Sequence, residues 1–436
     1  MKFQLKFVST LVLLAFSATV STTTLAQSAP KQPQQSVQEL KQGKLVALNW
    51  DKFNKTQLEK MIATYGKDSP NYNPARPPYA VFDFDNTTIF LDIGEATFTY
   101  QIENLVFGMT PKQMDEAIRK NISNKDFDDG HKNAAGEIIN IDKIAPDIVE
   151  SYTWLYNNYK GLKGKKSLEE VKKSPHYMAF ASKLRYLYEA IGDTFDHATS
   201  YPWVTYQFTG MTEKEVRNVT AEAMKWQQNE PVTEVTWKTP ANMPGKSGIL
   251  TVTWKNGVRT VPEVQNLYQA LKDNGFDIWI CSASFVDVIK EMAENPDFGY
   301  NVSADRVLAM ELERDSKGRI KTEFKKGFDQ TQGKGKTKTI ERFLVSKYGY
   351  GPILVAGDSE GDQNMIADFK DTKIGLIFNR LRSPSTDIGK YSKQAVETYG
   401  NPNARYLLQG RNDNTGLLVP SQKSFKFGSK EAKALR

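Results

Sequence analysis

Three short apolar runs in this chain each end abruptly in residues that can bind ions or transfer protons. The first occupies residues 80–82 and ends at Asp83 and Asp85, two carboxylates separated by one residue. The second, residues 276–284, ends in hydroxyl side chains, and the third, residues 353–362, ends in Gly-Asp-x-x-x-Asp. Short runs of β-forming residues bounded by polar residues predict buried strands. The pattern therefore predicts an α/β fold with a Rossmann-like parallel sheet, in which ligands bind beyond the carboxyl ends of the strands.

The segment between the first two runs, residues 91–257, has a mainly helical pattern. Thr110 and Thr212 each precede a Gln or Glu by three residues, a spacing that predicts a capping box at a helix start. Residues 251–261 predict a hairpin that turns at an Asn-Gly pair, with residues 234–237 as its candidate partner. We expect this segment to form a large, mostly α-helical cap inserted after the first core strand.

The polar residues at the ends of these predicted strands indicate a chemical function. Two acids at the end of a buried strand are costly unless a metal ion or a phosphoryl group makes use of them. A further basic run, residues 334–340, lies at the predicted head of a helix. Together these residues offer a nucleophile, a proton shuttle, two groups that bind phosphoryl oxygens, and a site for a hard cation.

The motifs and their order resemble those of the haloacid dehalogenase superfamily. They are Asp-x-Asp-Asn-Thr from Asp83, Ser-Ala from Ser282, the lysine at 336, and Gly-Asp-Ser-x-x-Asp ending at Asp362. The resemblance covers residues 76–90 and 258–380. Within the superfamily the chain looks like the phosphoserine phosphatase-like branch, and its motif set is similar to that of secreted bacterial phosphorylcholine phosphatases.

The resemblance implies hydrolysis of a phosphate ester through an aspartyl-phosphate. Asp83 would be the nucleophile. Asp85 would protonate the departing alkoxide and then accept a proton from the hydrolytic water. Ser282, Lys336 and Thr87 would bind the phosphoryl oxygens.

The same resemblance implies a magnesium site. Its ligands would be the side chains of Asp83, Asp358 and Asp362 and the backbone carbonyl of Asp85. Mg²⁺ prefers carboxylate and water oxygens, and a phosphate dianion repels an anionic nucleophile unless positive charge is supplied. An acid two residues after the nucleophile favours a leaving oxygen that needs a proton, which indicates a phosphatase.

Several of these residues also have structural interpretations. Asp83 and Asp85 could cap a following helix, and Asp362 could be a helix N-cap. Lys334 lies two residues before Lys336 and is the other candidate for the phosphate-binding lysine.

Substrate choice is expected to reside in the cap. Asp92 lies nine residues after Asp83, where phosphoserine phosphatases place a carboxylate that binds the substrate ammonium; Glu95 is the nearest alternative. A solvated or helix-capping acid is an equal interpretation of Asp92. Aromatic rings can bind a quaternary ammonium at about 0.5–2 kcal/mol per contact, although such groups more often pack in a core. The cap has two aromatic groups, Tyr152, Trp154, Tyr156 and Tyr159, then Tyr201, Trp203, Tyr206 and Phe208.

The first residues are typical of a bacterial Sec-type signal peptide. Two positive charges precede the apolar stretch 7–20, and the small residues that follow end at Ala26, the predicted cleavage site. The stretch is too short for a comfortable membrane span, so we expect a periplasmic or secreted protein with no stable span after signal removal. Cys281 is the single cysteine, which excludes an intramolecular disulfide.

The net charge and the motifs of the chain restrict the classes of binding partner that we expect. The formal net charge is +7, which suits an anionic substrate. The chain shows no arginine-rich arm, zinc-ligand spacing or aromatic RNA-binding signature, so nucleic acid is not an expected partner. The three histidines lack an Arg-His-Gly context, which disfavours a histidine-type acid phosphatase. The sequence does not predict an oligomeric state.

The sequence predicts a Mg²⁺-dependent phosphomonoesterase acting on phosphorylcholine or a similar small amino-alcohol phosphate. The alternatives are a broad-specificity periplasmic acid phosphatase that scavenges phosphate, and a catalytically silent protein that binds choline-like ligands. The predicted organisation is a signal peptide (1–26), an N-terminal arm and helix (27–75), a catalytic core (76–90 and 258–380), a cap (91–257) and a C-terminal extension (381–436).

Overall fold

The chain combines many helices with many strands in a mixed α/β arrangement. The computed structural model describes residues 44–436. The predicted signal peptide, and the part of the predicted arm before residue 44, lie outside the described residues. In chain order the helices are α1 (Lys52–Tyr65), α2 (Ile93–Asn104), α3 (Pro111–Arg119), α4 (Ile141–Asn158), α5 (Leu168–Lys172), α6 (Pro175–Thr194), α7 (His197–Thr205), α8 (Glu213–Asn229), α9 (Pro262–Asp273), α10 (Val286–Glu294), α11 (Lys334–Ile340), α12 (Ser346–Tyr348), α13 (Gln363–Ala367) and α14 (Asp387–Glu397). The strands are β1 (Tyr79–Phe82), β2 (Ile89–Phe90), β3 (Thr233–Lys238), β4 (Thr251–Asn256), β5 (Arg259–Thr260), β6 (Asp277–Phe285), β7 (Val307–Met310), β8 (Leu312–Arg314), β9 (Ile320–Phe324), β10 (Leu354–Gly357), β11 (Ile374–Phe378), β12 (Tyr406–Gln409), β13 (Arg411–Asn412), β14 (Leu417–Leu418), β15 (Ser424–Phe425) and β16 (Ala432–Lys433).

The predicted parallel sheet is confirmed. It has six strands in the order β12-β11-β10-β1-β6-β7, and every neighbouring pair is parallel. The central strand β1 is buried on both faces, as is usual in parallel sheets. Its alternate residues enter two separate apolar clusters: Ala80 and Phe82 face the larger one, Tyr79 and Val81 the smaller.

The register of this sheet brings the motif residues together. Phe82 lies beside Ile280 of β6 and Ala356 of β10. Three predicted site residues come just after these positions: Asp83 follows Phe82 directly, and Ser282 and Asp358 lie two residues after Ile280 and Ala356. Because the strands are parallel, they emerge at one edge of the sheet.

The predicted cap segment contains seven helices, α2 to α8, and a two-stranded sheet of β3 and β4. Both predicted capping boxes are present: Thr110 with Gln113 at the start of α3, and Thr212 with Glu215 at the start of α8. The division into core and cap stays a prediction.

The hairpin predicted for residues 251–261 is wrong. β4 pairs with β3, which confirms the expected partner at residues 234–237, but β5 pairs with β2 beside the first motif. The chain changes direction at Gly257 (φ +94°), where the side-chain oxygen of Gln227 accepts the N–H groups of Gly257 and Val258 at 2.7 and 3.2 Å. Because α8 satisfies these backbone donors, the chain continues to a new partner instead of folding back.

The segment 381–436, to which the sequence analysis gives no role, extends the sheet. β12 is its edge strand and pairs in parallel with β11. The chain then forms a small sheet in the order β14-β13-β15-β16. Among the described residues, no helix combines the length and apolar character that crossing a membrane requires.

Candidate active site

The loop after β1 carries the first two carboxylates. Asp83 is 7% exposed, and its N–H donates to the carbonyl of Ala356 at 2.9 Å, which extends the pairing with β10 by one residue. The hydroxyl of Thr88 donates to the Asp83 carbonyl at 2.7 Å. The chain then turns at Asn86, which has a left-handed φ of +60°. These contacts fix the nucleophile candidate at the sheet edge.

The loop after β10 carries the second pair of carboxylates. Oδ2 of Asp362 accepts the N–H groups of Asp358 and Ser359, each at 3.0 Å. A Cβ at Gly357 would lie 2.5 Å from the Cβ of Asp362, so a side chain there would displace this carboxylate. Asp362 starts α13, but its side chain does not accept a hydrogen bond from the first turn. Asp362 is thus the N-cap residue of α13 by position, while its carboxylate is engaged by Lys336 and by the loop after β10.

Carboxylate oxygens of Asp83, Asp358 and Asp362 all lie within 4.8 Å of one another, and all three residues are buried. The donor set is oxygen only, which fits Mg²⁺ better than a soft metal. Thr87, predicted to bind phosphate, donates its hydroxyl to Asp358 Oδ1 at 2.8 Å and lies 3.3 Å from Asp83 Oδ2. Its hydroxyl thus orients two of the carboxylates.

Two cations partly balance these acids. Lys336, in α11, donates through Nζ to Asp83 Oδ1 at 2.5 Å and to Asp362 Oδ1 at 2.6 Å. Burial alone would lower the pKa of Lys336, but the carboxylates of Asp362 and Asp83 outweigh it and raise that pKa. Lys334 is exposed on the same helix, so the structure brings Lys336 into the site and leaves the alternative lysine outside.

The second cation, Arg380, was not anticipated. It follows β11 and donates to Asp358 Oδ2 at 2.7 Å. Burial raises the pKa of Asp83 well above its usual value and the nearby Asp362 adds to this, while Lys336 opposes it. Three carboxylates face two cations in this cluster, so binding of a further cation would favour the ionised form of Asp83.

Asp85 is held apart from the three clustered acids by its own partners. Its Oδ1 accepts the N–H of Ile93 at 2.8 Å, and its Oδ2 accepts the hydroxyl of Ser284 at 2.6 Å. Burial raises the pKa of Asp85, and the neighbouring carboxylate of Asp92 raises it further. A raised pKa suits a carboxyl group that must hold and release a proton near neutral pH. Asp92 is the N-cap of the following helix α2, and Asp85 accepts the N–H of the first residue of that helix, so the capping interpretation holds in part for Asp85 and not for Asp83.

Ser282 and Ser284 lie on β6 with one residue between them. Ser282 is buried and lines the cavity, and its Oγ accepts the N–H of Ser284 at 3.1 Å. The contact of Ser284 with Asp85 was not anticipated, although residues two apart on a strand face the same side of the sheet. That periodicity is the signal that could have identified it.

These residues line a cavity of about 400 Å³. Asp92 and Glu95 lie on its wall. Asp92 Oδ1 accepts the N–H of Glu95 at 2.8 Å, so the helix-capping interpretation applies to it as well. Glu95 pairs with the fully buried Arg185 of α6, which also pairs with Glu189 at 2.8 Å. Glu189 lines the same cavity and was not anticipated.

The predicted aromatic groups divide between core and cavity. Tyr201 lines the cavity and stacks on His197 with ring centroids 4.7 Å apart. Tyr152 and Trp203 are fully buried in the apolar core, where each bonds a backbone carbonyl. Tyr188, absent from the predicted groups, is the second tyrosine on the cavity wall. The core-packing interpretation thus holds for most of these rings, with Tyr201 as the exception.

The parallel sheet brings the four motifs of Asp83, Ser282, Lys336 and Asp358 into one pocket, as the resemblance to the haloacid dehalogenase superfamily implies. A stretch of 115 residues is 24% identical to the phosphorylcholine phosphatase of Pseudomonas aeruginosa, a match that spans 26% of this chain and 30% of that protein. The chain belongs to the same family as a conserved protein of unknown function from Anaerococcus prevotii DSM 20548. The two are 35% identical, the match covers 88% of this chain and 98% of that one, and the TM-score is 0.82.

A phosphoserine phosphohydrolase-like protein from Francisella tularensis also matches, over 69% of this chain and 87% of that one. It is 12% identical with a TM-score of 0.30. No protein-family model matches the chain.

Proposed function

We propose that this protein is a Mg²⁺-dependent phosphomonoesterase that works through an aspartyl-phosphate on Asp83. The observation that carries the proposal is the convergence of Asp83, Asp358 and Asp362 within 4.8 Å, with Lys336 bonded to two of them, in one cavity. These residues come from three segments of the chain, and Asp83 lies 253 positions before Lys336. A merely structural cluster of buried acids would be costly.

The proposed reaction has two steps. In the first, a carboxylate oxygen of Asp83 attacks phosphorus while Asp85 gives its proton to the departing ester oxygen. In the second, Asp85 takes a proton from water as that water attacks the aspartyl-phosphate, releasing inorganic phosphate and restoring both carboxyl groups. The hydrogen bonds from Ser284 and Ile93 hold Asp85 in one orientation for both transfers.

Positive charge must be supplied before an anionic nucleophile can approach a phosphate dianion. Mg²⁺, held by Asp83, Asp358, Asp362 and the carbonyl of Asp85, would neutralise charge on the phosphoryl oxygens. Lys336 would donate to a phosphoryl oxygen from its position between the carboxylates. The hydroxyl of Ser282 would donate to another.

The leading substrate is phosphorylcholine or a similar amino-alcohol phosphate. The cavity wall supports this choice, because Asp92, Glu95 and Glu189 are acidic and the rings of Tyr188 and Tyr201 lie among them. Carboxylates attract an ammonium group, and ring faces bind a quaternary one. The buried Arg185 neutralises part of the charge of Glu95 and Glu189, which leaves a site that is attractive to a cation without being strongly anionic.

Hydrolysis of p-nitrophenyl phosphate by the purified protein tests the reaction. We expect turnover with Mg²⁺, loss of turnover in EDTA, and recovery when Mg²⁺ is restored. Asp83→Asn should remain folded and inactive. A folded wild-type protein without turnover would favour the alternative of a catalytically silent, ligand-binding protein. An active Asp83→Asn variant would show that Asp83 is not the nucleophile.

A comparison of kcat/KM for phosphorylcholine, phosphoethanolamine, phosphoserine and glycerol phosphate tests the substrate. We expect the two amino-alcohol phosphates to lead and Glu189→Gln to reduce that preference. Glu222→Gln, an exposed change on α8, is the matched control. Equal rates on all four esters would favour the broad-specificity scavenging phosphatase.

We also propose that the enzyme is exported, on the strength of the N-terminal sequence pattern. Fractionation of cells that express the full chain tests this. Recovery in the periplasm or medium with a new N-terminus near residue 27 would support export. Recovery of the uncleaved chain in the cytoplasm would contradict it.

A further inference from the structure

A second cavity of about 330 Å³ adjoins the catalytic one. The two share wall residues: Asn86, Asp92, Glu95, Glu189 and Arg380 line both. The catalytic cavity alone has a volume within the range that holds a drug-sized ligand, so a small amino-alcohol phosphate does not need the second one. Because the two cavities share part of their wall, the second one offers space for a further ligand group beside the catalytic site.

Five cations from separate parts of the chain line this second cavity: Lys255, Arg380, Arg382, Arg411 and Lys426. They come from β4, from the loop after β11, from β13 and from the residue after β15. A run of lysines on one helix is usually a solvated face. Cations that four separate segments bring to one concave wall are instead an arrangement that only the tertiary fold creates.

Three of these cations already have acidic partners. Arg380 bonds Asp358, Arg382 bonds Glu360, and Arg411 donates to Asp413 at 2.8 Å. The side chains of Arg380 and Arg382 remain 31% and 32% exposed. Each can therefore offer further N–H groups to a ligand in the cavity.

The other two cations are not used in this way. Among the described residues, neither Lys255 nor Lys426 donates a hydrogen bond through its ammonium group or forms an ion pair, and both are exposed. The ammonium group of Lys255 lies over the ring of Phe427, 5.3 Å from its centroid, a contact that leaves its N–H donors available. Glu234 stands opposite Lys255 in the β3–β4 pairing without an ion pair between them. Burial lowers the pKa of Lys426; Asp413 opposes this, while Arg380, Lys255 and Arg411 lower the pKa further. Positive charges thus crowd this end of the cavity.

The acids on the shared wall do not neutralise that end. Glu95 and Glu189 are paired with Arg185, and Asp92 accepts the N–H of Glu95. Glu234 and Asp413 also line the second cavity, but Asp413 is paired with Arg411, and Glu234 forms no ion pair with the facing Lys255. Three of the four charged residues on the shared wall are thus acids, the fourth being Arg380, and the other four cations line the second cavity only.

We propose that the second cavity is an anion-binding subsite that takes a phosphate or carboxylate group in addition to the phosphoryl group at Asp83. The groups that bind this anion are the ammonium groups of Lys255 and Lys426 and the free N–H groups of Arg380 and Arg382. Two sources share this chemistry: a second anionic group on the alcohol part of the substrate, and free inorganic phosphate. As a substrate subsite, the proposal rests on the phosphatase function proposed above.

The test compares wild type with the double variant Lys255→Ala/Lys426→Ala. Lys423→Ala is the matched control, because it removes an exposed lysine three residues before Lys426 that does not line the cavity. Unchanged Tm values establish that all variants are folded. Substrates are α,ω-alkanediol bisphosphates of increasing chain length and alkyl monophosphates of matching length.

We expect wild type to prefer a bisphosphate of one chain-length range by about tenfold in kcat/KM, since charge-assisted hydrogen bonds to a second anion are lost with the monophosphate. The double variant should lose this preference and keep its kcat/KM for the monophosphates, and Lys423→Ala should behave as wild type. This outcome identifies the substrate as the source of the anion.

Calorimetric titration with inorganic phosphate is the second part of the test, and it does not require the protein to turn over a substrate. Two phosphates bound by wild type and one by the double variant, without a bisphosphate preference, would identify free phosphate as the source. The proposal would be overturned if wild type showed neither the bisphosphate preference nor a second bound phosphate. It would also be overturned if the double variant behaved like the Lys423→Ala control. Failure of all esters to react would refute the phosphatase function alone, because the titration would still decide the subsite.

Discussion

Among the described residues, Lys336 is the lysine that contacts the carboxylate cluster, and its replacement by methionine removes this contact. Methionine keeps most of the length and volume of the side chain, so packing in α11 changes little. The change leaves the carboxylates of Asp83 and Asp362 without the ammonium that now bonds both. We expect the variant to lose both stability and activity.

The exposure of the three side chains decides the size of the stability loss. Lys336, Asp83 and Asp362 have side chains that are 2%, 9% and 1% exposed. An exposed ion pair contributes about 0–1 kcal/mol, whereas removing one partner of a buried pair costs about 3–5 kcal/mol. The buried figure applies here. At about 2 °C per kcal/mol, a Tm lower by about 6–10 °C follows.

The activity loss has a separate cause. Lys336 would donate to charge that develops on the phosphoryl group, and removal of one such donor lowers kcat by about 10²–10³ in other enzymes. Thermal unfolding in EDTA and p-nitrophenyl phosphate hydrolysis with Mg²⁺ measure the two effects. Lys334→Met, two residues away and exposed, is the matched control. A Lys336→Met protein that matches this control in Tm and kcat would refute the assignment of Lys336 to the site.

Other changes test separate contacts. Ser284→Ala removes the 2.6 Å hydrogen bond to Asp85, and we expect kcat to fall by about tenfold with KM unchanged, a split that steady-state kinetics would show. Lys183→Met leaves the buried carboxylate of Asp147, in the predicted cap, without its ion-pair partner; the two side chains are 1% and 6% exposed. This change should lower the free energy of unfolding by about 3–5 kcal/mol while kcat/KM is retained. The pKa of Asp147 is lowered, because the hydrogen bonds from Lys183 and Ser247 outweigh its burial. Its ionised form therefore stabilises the fold above the unfolded pKa of about 3.9, and that stability is lost as the pH falls through the folded value. The Tm difference between wild type and Asp147→Asn should accordingly shrink between pH 5 and pH 2 or so, and a constant difference would contradict this.

The sequence predicted the parts of the site that lie next to strong local patterns. Asp83 and Asp358 each follow a short apolar run, and parallel strands bring such positions to one edge. Lys336 was implied by the resemblance, with Lys334 as the alternative, and the structure buries Lys336 in the same helix as Ile340. Strand ends therefore sufficed to predict the two acids, whereas the choice of lysine needed the structure.

The missed residues depend on tertiary contacts that leave no local pattern. Arg380 reaches Asp358 because β11 pairs with β10, and nothing near residue 380 in the sequence indicates that pairing. Arg185 and Glu189 lie in the middle of α6, where a charged pair four residues apart is typical of a solvated face. Burial of Arg185 follows only from the packing of other cap elements around it.

The hairpin prediction failed for a related reason. An Asn-Gly pair between two β-forming runs is a strong local signal for a tight turn. Here the side chain of Gln227, about thirty residues earlier in the chain, accepts the backbone groups that such a turn would satisfy internally. A long-range contact thus overrides the local preference.

Identification of the phosphorylated residue tests the central claim most directly. Reaction with substrate and Mg²⁺, followed by acid quench and borohydride reduction, converts an aspartyl-phosphate to homoserine, which peptide mass spectrometry locates. We predict homoserine at position 83 in the wild-type protein and none in Asp83→Asn. Turnover with the reduced residue at any other position, or with no acyl-phosphate trapped at all, would contradict the proposed mechanism.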